Sequence, residues 1–319
     1  MDSDITVVIQ DSRTLSAICG INDDNLRVIE ELIDSRILSR GNELSIHPTD
    51  RDKEELFVGI LSALEEQLKR GRTANPELIR SIHRSMVEGD TEESRLFKET
   101  ALRIPGTMAH IYPRSQRQAL YMDAMNRYDV VFSVGPAGTG KTYLAIAHAL
   151  HEMLGRKKKK LILTRPVVEA GESLGFLPGD FTQKISPYLR PLYDAMDALI
   201  SPETISRLEE NRIIEIVPLA YMRGRSLANS YIILDEAQNT TKEQMKMFLT
   251  RIGEGSKAIV TGDITQIDLP SKTQSGMIHA LRILQPVSEI AFIHFTNQDV
   301  IRNPLVRKIV QAYDAETTL

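Results

Sequence analysis

The stretch Gly135-Pro136-Ala137-Gly138-Thr139-Gly140-Lys141-Thr142 holds residue types that do chemistry only in company. It fits the pattern G-x-x-x-x-G-K-[ST], in which backbone N–H groups cradle phosphates, the lysine reaches the outer phosphates and the hydroxyl sits on Mg²⁺. The glycines permit backbone conformations that a Cβ forbids, so successive N–H groups turn inward on one anion. A helix N-terminus beginning at Lys141 adds its partial positive charge. The stretch therefore implies a bound nucleoside triphosphate, with Mg²⁺ as its companion ion.

The flanking elements supply the context that the pattern requires. Val130, Val131, Phe132 and Val134 lead in as a buried strand, and Tyr143 to Leu150 lead out as a helix. A second apolar strand, Tyr231-Ile232-Ile233-Leu234, runs into Asp235-Glu236-Ala237-Gln238. An aspartate at that strand tip supports Mg²⁺, and a glutamate directly after it can orient or deprotonate an attacking water. A third strand, Lys257 to Thr261, ends in Gly262-Asp263-Ile264-Thr265-Gln266, where the amide of Gln266 is placed to sense the γ-phosphate. No Asn-Lys-x-Asp guanine-reading motif occurs in the sequence, which disfavours GTP and leaves ATP hydrolysis by an activated water.

Asp-Glu-Ala-Gln followed by Gly-Asp-x-x-Gln is similar to motifs of superfamily-one helicases, whose two RecA-like lobes close on one nucleotide. Few residues follow Phe295, so the expectation is that a partner subunit supplies the missing half, or that strand separation is not the task. The ordered set from Gly135–Leu144 onward resembles the PhoH family, and within it the ATPases of the YbeZ type. The other carriers are Leu163-Thr164-Arg165-Pro166, Gly171–Asp180, Ala220–Leu227, Leu234–Gln238, Thr261–Gln266 and Asp299–Val306. The resemblance implies a cytoplasmic ATPase of RecA-like fold linked to RNA metabolism, with a YbeY-type endoribonuclease as partner in ribosomal RNA maturation. It also implies a ring-like homo-oligomer, a hexamer by likeness, and assigns adenine reading to Gln118, with Gln116 as a rival. Arg302 is the candidate arginine finger, reaching a neighbour's γ-phosphate; the competing reading is an ion pair within its own chain. A finger of that kind is worth several orders of magnitude in rate.

Composition bounds what remains. The chain has 319 residues, a formal net charge of −4 and one cysteine, Cys19. That length suffices for two domains, the single cysteine excludes an internal disulfide framework, and the charge confines any RNA contact to local patches. The acidic start Met1-Asp2-Ser3-Asp4 carries no export signal, and no apolar run reaches membrane-spanning length, so no membrane is expected. No His/Cys cluster has the spacing of a structural zinc site.

Residues 1–70 read as a separate unit in the order βααββα, similar to a KH-type RNA-binding domain. Its clamp is Gly20-Ile21-Asn22-Asp23, which lacks the second glycine and brings Asp23-Asp24 towards any phosphate. RNA contact and simple docking both stand as readings of this unit. Residues 71–112 read as a helical connector, and 113–319 as the ATPase domain. Two basic features are open: Arg156 to Lys160 as a solvated turn or a phosphate contact, and Arg223/Arg225 as an RNA or nucleotide contact. The whole is an α/β chain. Its P-loop NTPase core has a mostly parallel sheet with helices on both faces, RecA-like by resemblance, behind a small KH-like α/β domain. The main alternative to an RNA-associated ATPase is an ATP-dependent switch that positions a nuclease and moves no RNA.

Overall fold

The structure is a computed structural model, described at residues 4–47, 50–69, 74–88, 100–107, 110–166, 181–270 and 275–300. The chain divides into two compact units, residues 1–103 with 108–119 and residues 104–107 with 120–319. Among the described residues no helix is long and apolar enough to cross a membrane.

The first unit runs β1 (Ile5–Val8), α1 (Ser12–Cys19), α2 (Asp24–Ile33), β2 (Ile37–Arg40), β3 (Glu43–Ile46), α3 (Arg51–Lys69) and α4 (Pro76–Glu88). Its antiparallel sheet has the order β1-β3-β2. The two-residue turn Gly41-Asn42 joins β2 to β3, with Gly41 at φ 62. The apolar stripe of α3, Phe57, Ile60, Leu61 and Leu64, is fully buried against Ile29 of α2 and Leu44 and Ile46 of β3. Helix α4, expected within a connector, puts Leu78, Ile79 and Ile82 into this same core. Between α1 and α2 the clamp-like loop carries Asn22 at φ 54 and Asp23 at φ 60, left-handed positions that Asn and Asp tolerate. Ile21 at its tip is 83% exposed. A two-residue ladder, β4 (Leu102–Arg103) with β5 (His110–Ile111), completes the described strands of this unit.

The division between units falls within α5 (Gln116–Arg127). The second unit continues β6 (Val130–Val134), α6 (Lys141–Leu154), β7 (Lys160–Arg165), α7 (Phe181–Asp197), α8 (Pro202–Glu210) and β8 (Ile214–Pro218). It closes with β9 (Ser230–Leu234), α9 (Lys242–Leu249), β10 (Lys257–Gly262), α10 (Gly276–Ile283) and β11 (Ile290–His294). All six strands are parallel, in the order β11-β6-β10-β9-β7-β8. The three strands expected from sequence, Val130–Val134, Tyr231–Leu234 and Lys257–Thr261, fall on β6, β9 and β10, each within a residue at its ends.

Parallel strands buried on both faces carry near-continuous apolar runs, and β6, β9 and β10 do so over most of their length. Phe132 and Val134 of β6, Ile232 and Leu234 of β9, and Ala258 and Val260 of β10 point to one face. There they meet Met245 and Phe248 of α9 and Met277 and Ala280 of α10. Phe132 stacks on Phe292 of β11 with ring centroids 5.3 Å apart. The alternate residues, among them Tyr231, face α6 on the other side.

One polar contact ties α6 to that second face. His148 is fully buried, with Nε2 at 3.0 Å from Asn126 Oδ1 and Nδ1 at 2.9 Å from the Tyr231 hydroxyl. With Asn126 accepting, Nε2 carries the proton and Nδ1 accepts from Tyr231. Burial pulls His148 down to about 3, and the charges of Lys257, His151 and Lys157 push the same way. An unfolded chain takes up a proton near the ordinary value of 6.5 whereas the folded chain does not. Stability from this site is therefore complete above pH 6.5 and drains as pH falls towards 3. We predict that the unfolding free energy drops by up to about 1.4 kcal/mol per pH unit below pH 6.5 from this group. His148→Gln, which keeps one donor and one acceptor, should flatten that slope in denaturant titrations at stepped pH; an unchanged slope would contradict the assignment.

Candidate active site

The site forms where the carboxyl ends of β6, β9, β10 and β7 meet, because every strand of a parallel sheet delivers its following loop to the same edge. The loop Gly135–Gly140 bends back over that edge, with Gly138 and Gly140 both at φ 82. Gly135 is excluded from substitution by its neighbour: a Cβ there would lie 2.6 Å from the Phe295 carbonyl oxygen. Helix α6 begins at Lys141, so its free N–H groups open onto the cavity.

Lys141 is 7% exposed, and its Nζ donates to the carbonyls of Gly135 at 2.7 Å and Pro136 at 2.8 Å. Burial draws its ammonium below the usual lysine range, opposed by the charges of Asp263, Asp235 and Glu236. Thr139 is buried and holds the loop from inside through Oγ1 to the Pro136 carbonyl at 3.0 Å.

Asp235 follows β9 and is 3% exposed. Its Oδ1 accepts from Thr142 Oγ1 at 2.7 Å and from Thr261 Oγ1 of β10 at 2.6 Å. Its Oδ2 accepts from Arg165 Nη2 of β7 at 2.8 Å. Glu236, next in the chain, has φ 53, a left-handed backbone that a residue with a Cβ adopts at a cost of about 1–3 kcal/mol. Its Oε1 takes a 3.1 Å bond from the same Arg165 nitrogen, and its Oε2 a 2.6 Å bond from Gln238 Nε2.

The loops after β9 and β10 are sewn together by amides. Gln238 is fully buried; its Oε1 accepts from the Asp263 backbone N–H at 3.0 Å and its Nε2 also donates to the Gln266 carbonyl at 3.1 Å. Asn239 exchanges two bonds with Asp268, at 2.9 and 2.8 Å. Asp263 in turn accepts from the Ala137 N–H of the phosphate loop at 3.1 Å, and from Gln266 Nε2 at 2.7 Å. A continuous hydrogen-bonded line thus runs from the phosphate loop through Asp263 and Gln238 to Glu236.

These groups enclose a cavity of about 290 Å³ lined by Lys141, Thr142, Asp235, Glu236, Asp263 and Gln266, with Ala137, Gly138, Gly140, Tyr143 and Gly262. The donor set fits a nucleotide with Mg²⁺: an ammonium and backbone N–H groups for phosphate, and a hydroxyl beside a carboxylate for a hard cation that prefers oxygen. Thr142 and Asp235 are the residues that would hold the ion.

Of the residues singled out from sequence, the loop, Asp235, Glu236 and Gln266 come together here. Gln118 does not line this cavity. It lies in the first unit, buried at the start of α5, with Oε1 accepting from the Arg114 N–H at 2.7 Å. Arg302 lies outside the described residues, as do Gly171–Asp180. Arg225 is held by Glu215 at 2.7 Å, and the same carboxylate takes Lys160 at 3.0 Å. Lys157 pairs with Glu152 at 2.8 Å, so the basic run before β7 is a turn anchored at both ends.

Two residues bonded into the site are not singled out by sequence: Arg165 stands there only as part of Leu-Thr-Arg-Pro, and Asp263 as the middle of Gly-Asp-x-x-Gln. Arg165 ends a buried strand and Asp263 follows one, and a charge at the carboxyl edge of a parallel sheet is the signal that marks such positions.

The family description "PhoH-like protein" matches residues 110–314, the segment that carries every one of these groups. This chain belongs to the PhoH family. The PhoH-like protein of Synechocystis sp. is 44% identical over 93% of this chain and 90% of its own length. That of Bacillus subtilis is 45% identical over 93% of each. The Pyrococcus furiosus Hef helicase domain is similar at TM-score 0.35 and 15% identity over 58% of this chain and 38% of its own, too distant to carry an argument. The PhoH-like core is a P-loop nucleotide site on a parallel sheet.

The buried amide line makes a measurable distinction between the two glutamines. Gln238→Leu strands the Asp263 N–H and the Gln266 carbonyl, which costs about 1–3 kcal/mol for each unsatisfied group that stays dry. Gln266 is exposed, so Gln266→Ala should stay within about 0.5 kcal/mol of the parent. Urea unfolding of both variants checks this, and equal losses would contradict the picture of Gln238 as the buried link.

Proposed function

We propose that this PhoH-like protein binds ATP with Mg²⁺ and hydrolyses it by an activated water, in the service of RNA metabolism. The observation that carries the proposal is the pair Asp235-Glu236: one acid is bonded to Thr142 of the phosphate loop and buried, while the next lines the same cavity with its side chain 42% exposed. The two acids have separate work. Asp235 accepts three donors and positions Thr142. Glu236, its carboxylate oriented by Arg165 and Gln238 and open to the cavity, is the acid placed to take a proton from water. Lys141 and the loop N–H groups hold the phosphates in line, and Mg²⁺ when bound neutralises charge on them. A phosphoryl transfer of this kind asks the protein for positioning and electrostatics more than for covalent steps.

Family resemblance extends the proposal. The chain acts in the cytoplasm as a homo-oligomer, a hexameric ring in its simplest form, with Arg302 of a neighbour completing each site. Single-stranded RNA stimulates turnover, and a YbeY-type endoribonuclease is the partner in ribosomal RNA processing. A second reading, an ATP-dependent switch that positions the nuclease without moving RNA, is favoured by one feature of the first unit. The loop Gly20–Asp23 presents an exposed isoleucine beside two aspartates, a tip better suited to a protein surface than to a phosphate backbone.

The division of labour predicts that Glu236→Gln binds a fluorescent ATP analogue as the parent does and turns ATP over about 10²- to 10⁴-fold more slowly. Parental turnover in a folded Glu236→Gln protein would remove the activated-water reading. Adding single-stranded RNA to the parent separates the two functional classes: stimulation supports the RNA-associated ATPase, and an unchanged rate supports the switch.

A further inference from the structure

We propose that Arg165 is a positioning residue for the hydrolytic step, holding Asp235 and Glu236 from behind and tying both acids to α7. The inference rests on the ATPase reading above.

Register places the arginine. Strand β7 lies beside β9 with Thr164 opposite Leu234, and the Asp235 N–H donates to the Thr164 carbonyl at 2.9 Å. The residue after Thr164 therefore sits alongside the acids that follow β9. One guanidinium nitrogen bonds both carboxylates, Asp235 at 2.8 Å and Glu236 at 3.1 Å, and the other donates to the Tyr188 carbonyl of α7 at 2.8 Å. The side chain is 14% exposed. It is not among the residues lining the cavity that Lys141 and Glu236 share, and its guanidinium meets that cavity's wall at the two acids.

Two further observations argue for a positioning role. The Glu236 backbone is left-handed and costs energy, so relaxed backbone geometry does not by itself fix its carboxylate. Arg165 on Oε1 and Gln238 on Oε2 pin it from opposite sides. Arg165 also leaves its own buried Nε without a partner among the described residues, so its orientation serves the two acids ahead of its own donors. A planar fork can satisfy two carboxylates and a carbonyl together, and a lysine ammonium at the end of a flexible stem cannot hold that geometry. Two adjacent acids also repel, and the cation between them compensates one buried charge.

The test is a kinetic split on the full chain. Misplacing a catalytic group by about 1 Å costs up to 10²-fold in rate, so Arg165→Ala should lose about 10- to 100-fold in kcat. The KM for ATP and the affinity for a fluorescent ADP analogue should stay within about threefold, since Lys141 and its loop are untouched. Arg165→Lys should restore thermal stability more than kcat. Guanidinium ion at a non-denaturing concentration should raise turnover of Arg165→Ala and leave Glu236→Gln unmoved. Should Arg165→Ala fail to fold in thermal melts, Arg165→Gln carries the same comparison. Parental kcat in the alanine variant, or a loss confined to KM and analogue affinity, would overturn the proposal. A parent with no turnover at all would remove the ATPase reading along with it; a parent with turnover and an unaffected Arg165→Ala would remove this inference alone.

Discussion

A buried carboxylate is tolerated in a protein only when its oxygens are fully compensated, and Asp235 is the carboxylate on which this core depends. Three donors meet it within 2.8 Å, from Thr142 on α6, Thr261 on β10 and Arg165 on β7. Three elements are thereby fixed to the tip of β9. Breaking such a buried arrangement by removing one member costs about 3–5 kcal/mol, because the remaining charge is left uncompensated. The compensation therefore selects the geometry in which the phosphate loop, the loop after β10 and Glu236 face one cavity.

The parallel sheet makes this convergence possible and also sets its limits. With β9 between β10 and β7, the acids stand between the phosphate loop side and the β7–α7 side. The hydrogen bonds divide accordingly. On one side Asp263 and Gln238 relate the Ala137 N–H to Glu236; on the other Arg165 relates Glu236 to the Tyr188 carbonyl. Glu236 is the point where the two sides meet, with Arg165 on Oε1 and Gln238 on Oε2.

Much of this was legible in the sequence for a physical reason. Glycine spacing before a Lys-Thr pair, set between a β-branched run and a helix, is a local pattern whose parts all lie between Val130 and Leu150. The strands were legible because a parallel sheet demands unbroken apolar runs, and each run ends at a charged or glycine-rich loop. The partners of Arg165 were not legible, because Asp235 and Glu236 lie seventy or more positions away and only the strand order brings β7 beside β9. The role of Gln238 was hidden likewise: its bonds to Asp263 and Gln266 depend on two strand tips being level, which spacing does not encode. Helix α4 shows the other limit. Its apolar positions Leu78, Ile79 and Ile82 announce a buried face, but the reading of residues 71–112 as a helical connector says nothing of the core it joins. Gln118 has an amide of the kind that can read adenine, and its oxygen accepts from the Arg114 N–H, a contact that spacing does not announce.

The central claim, that the Asp235 carboxylate couples the Thr142 hydroxyl, proposed here to hold Mg²⁺, to the rest of the core, is tested most directly by Asp235→Asn. The measurement is affinity for a fluorescent ATP analogue in EDTA and across a Mg²⁺ titration, on protein shown by thermal melting to be folded. The account predicts that analogue affinity in EDTA stays near the parent, because Lys141 and the loop N–H groups are intact, while the gain on adding Mg²⁺ is lost. A parental response to Mg²⁺ in the folded Asp235→Asn protein would contradict it.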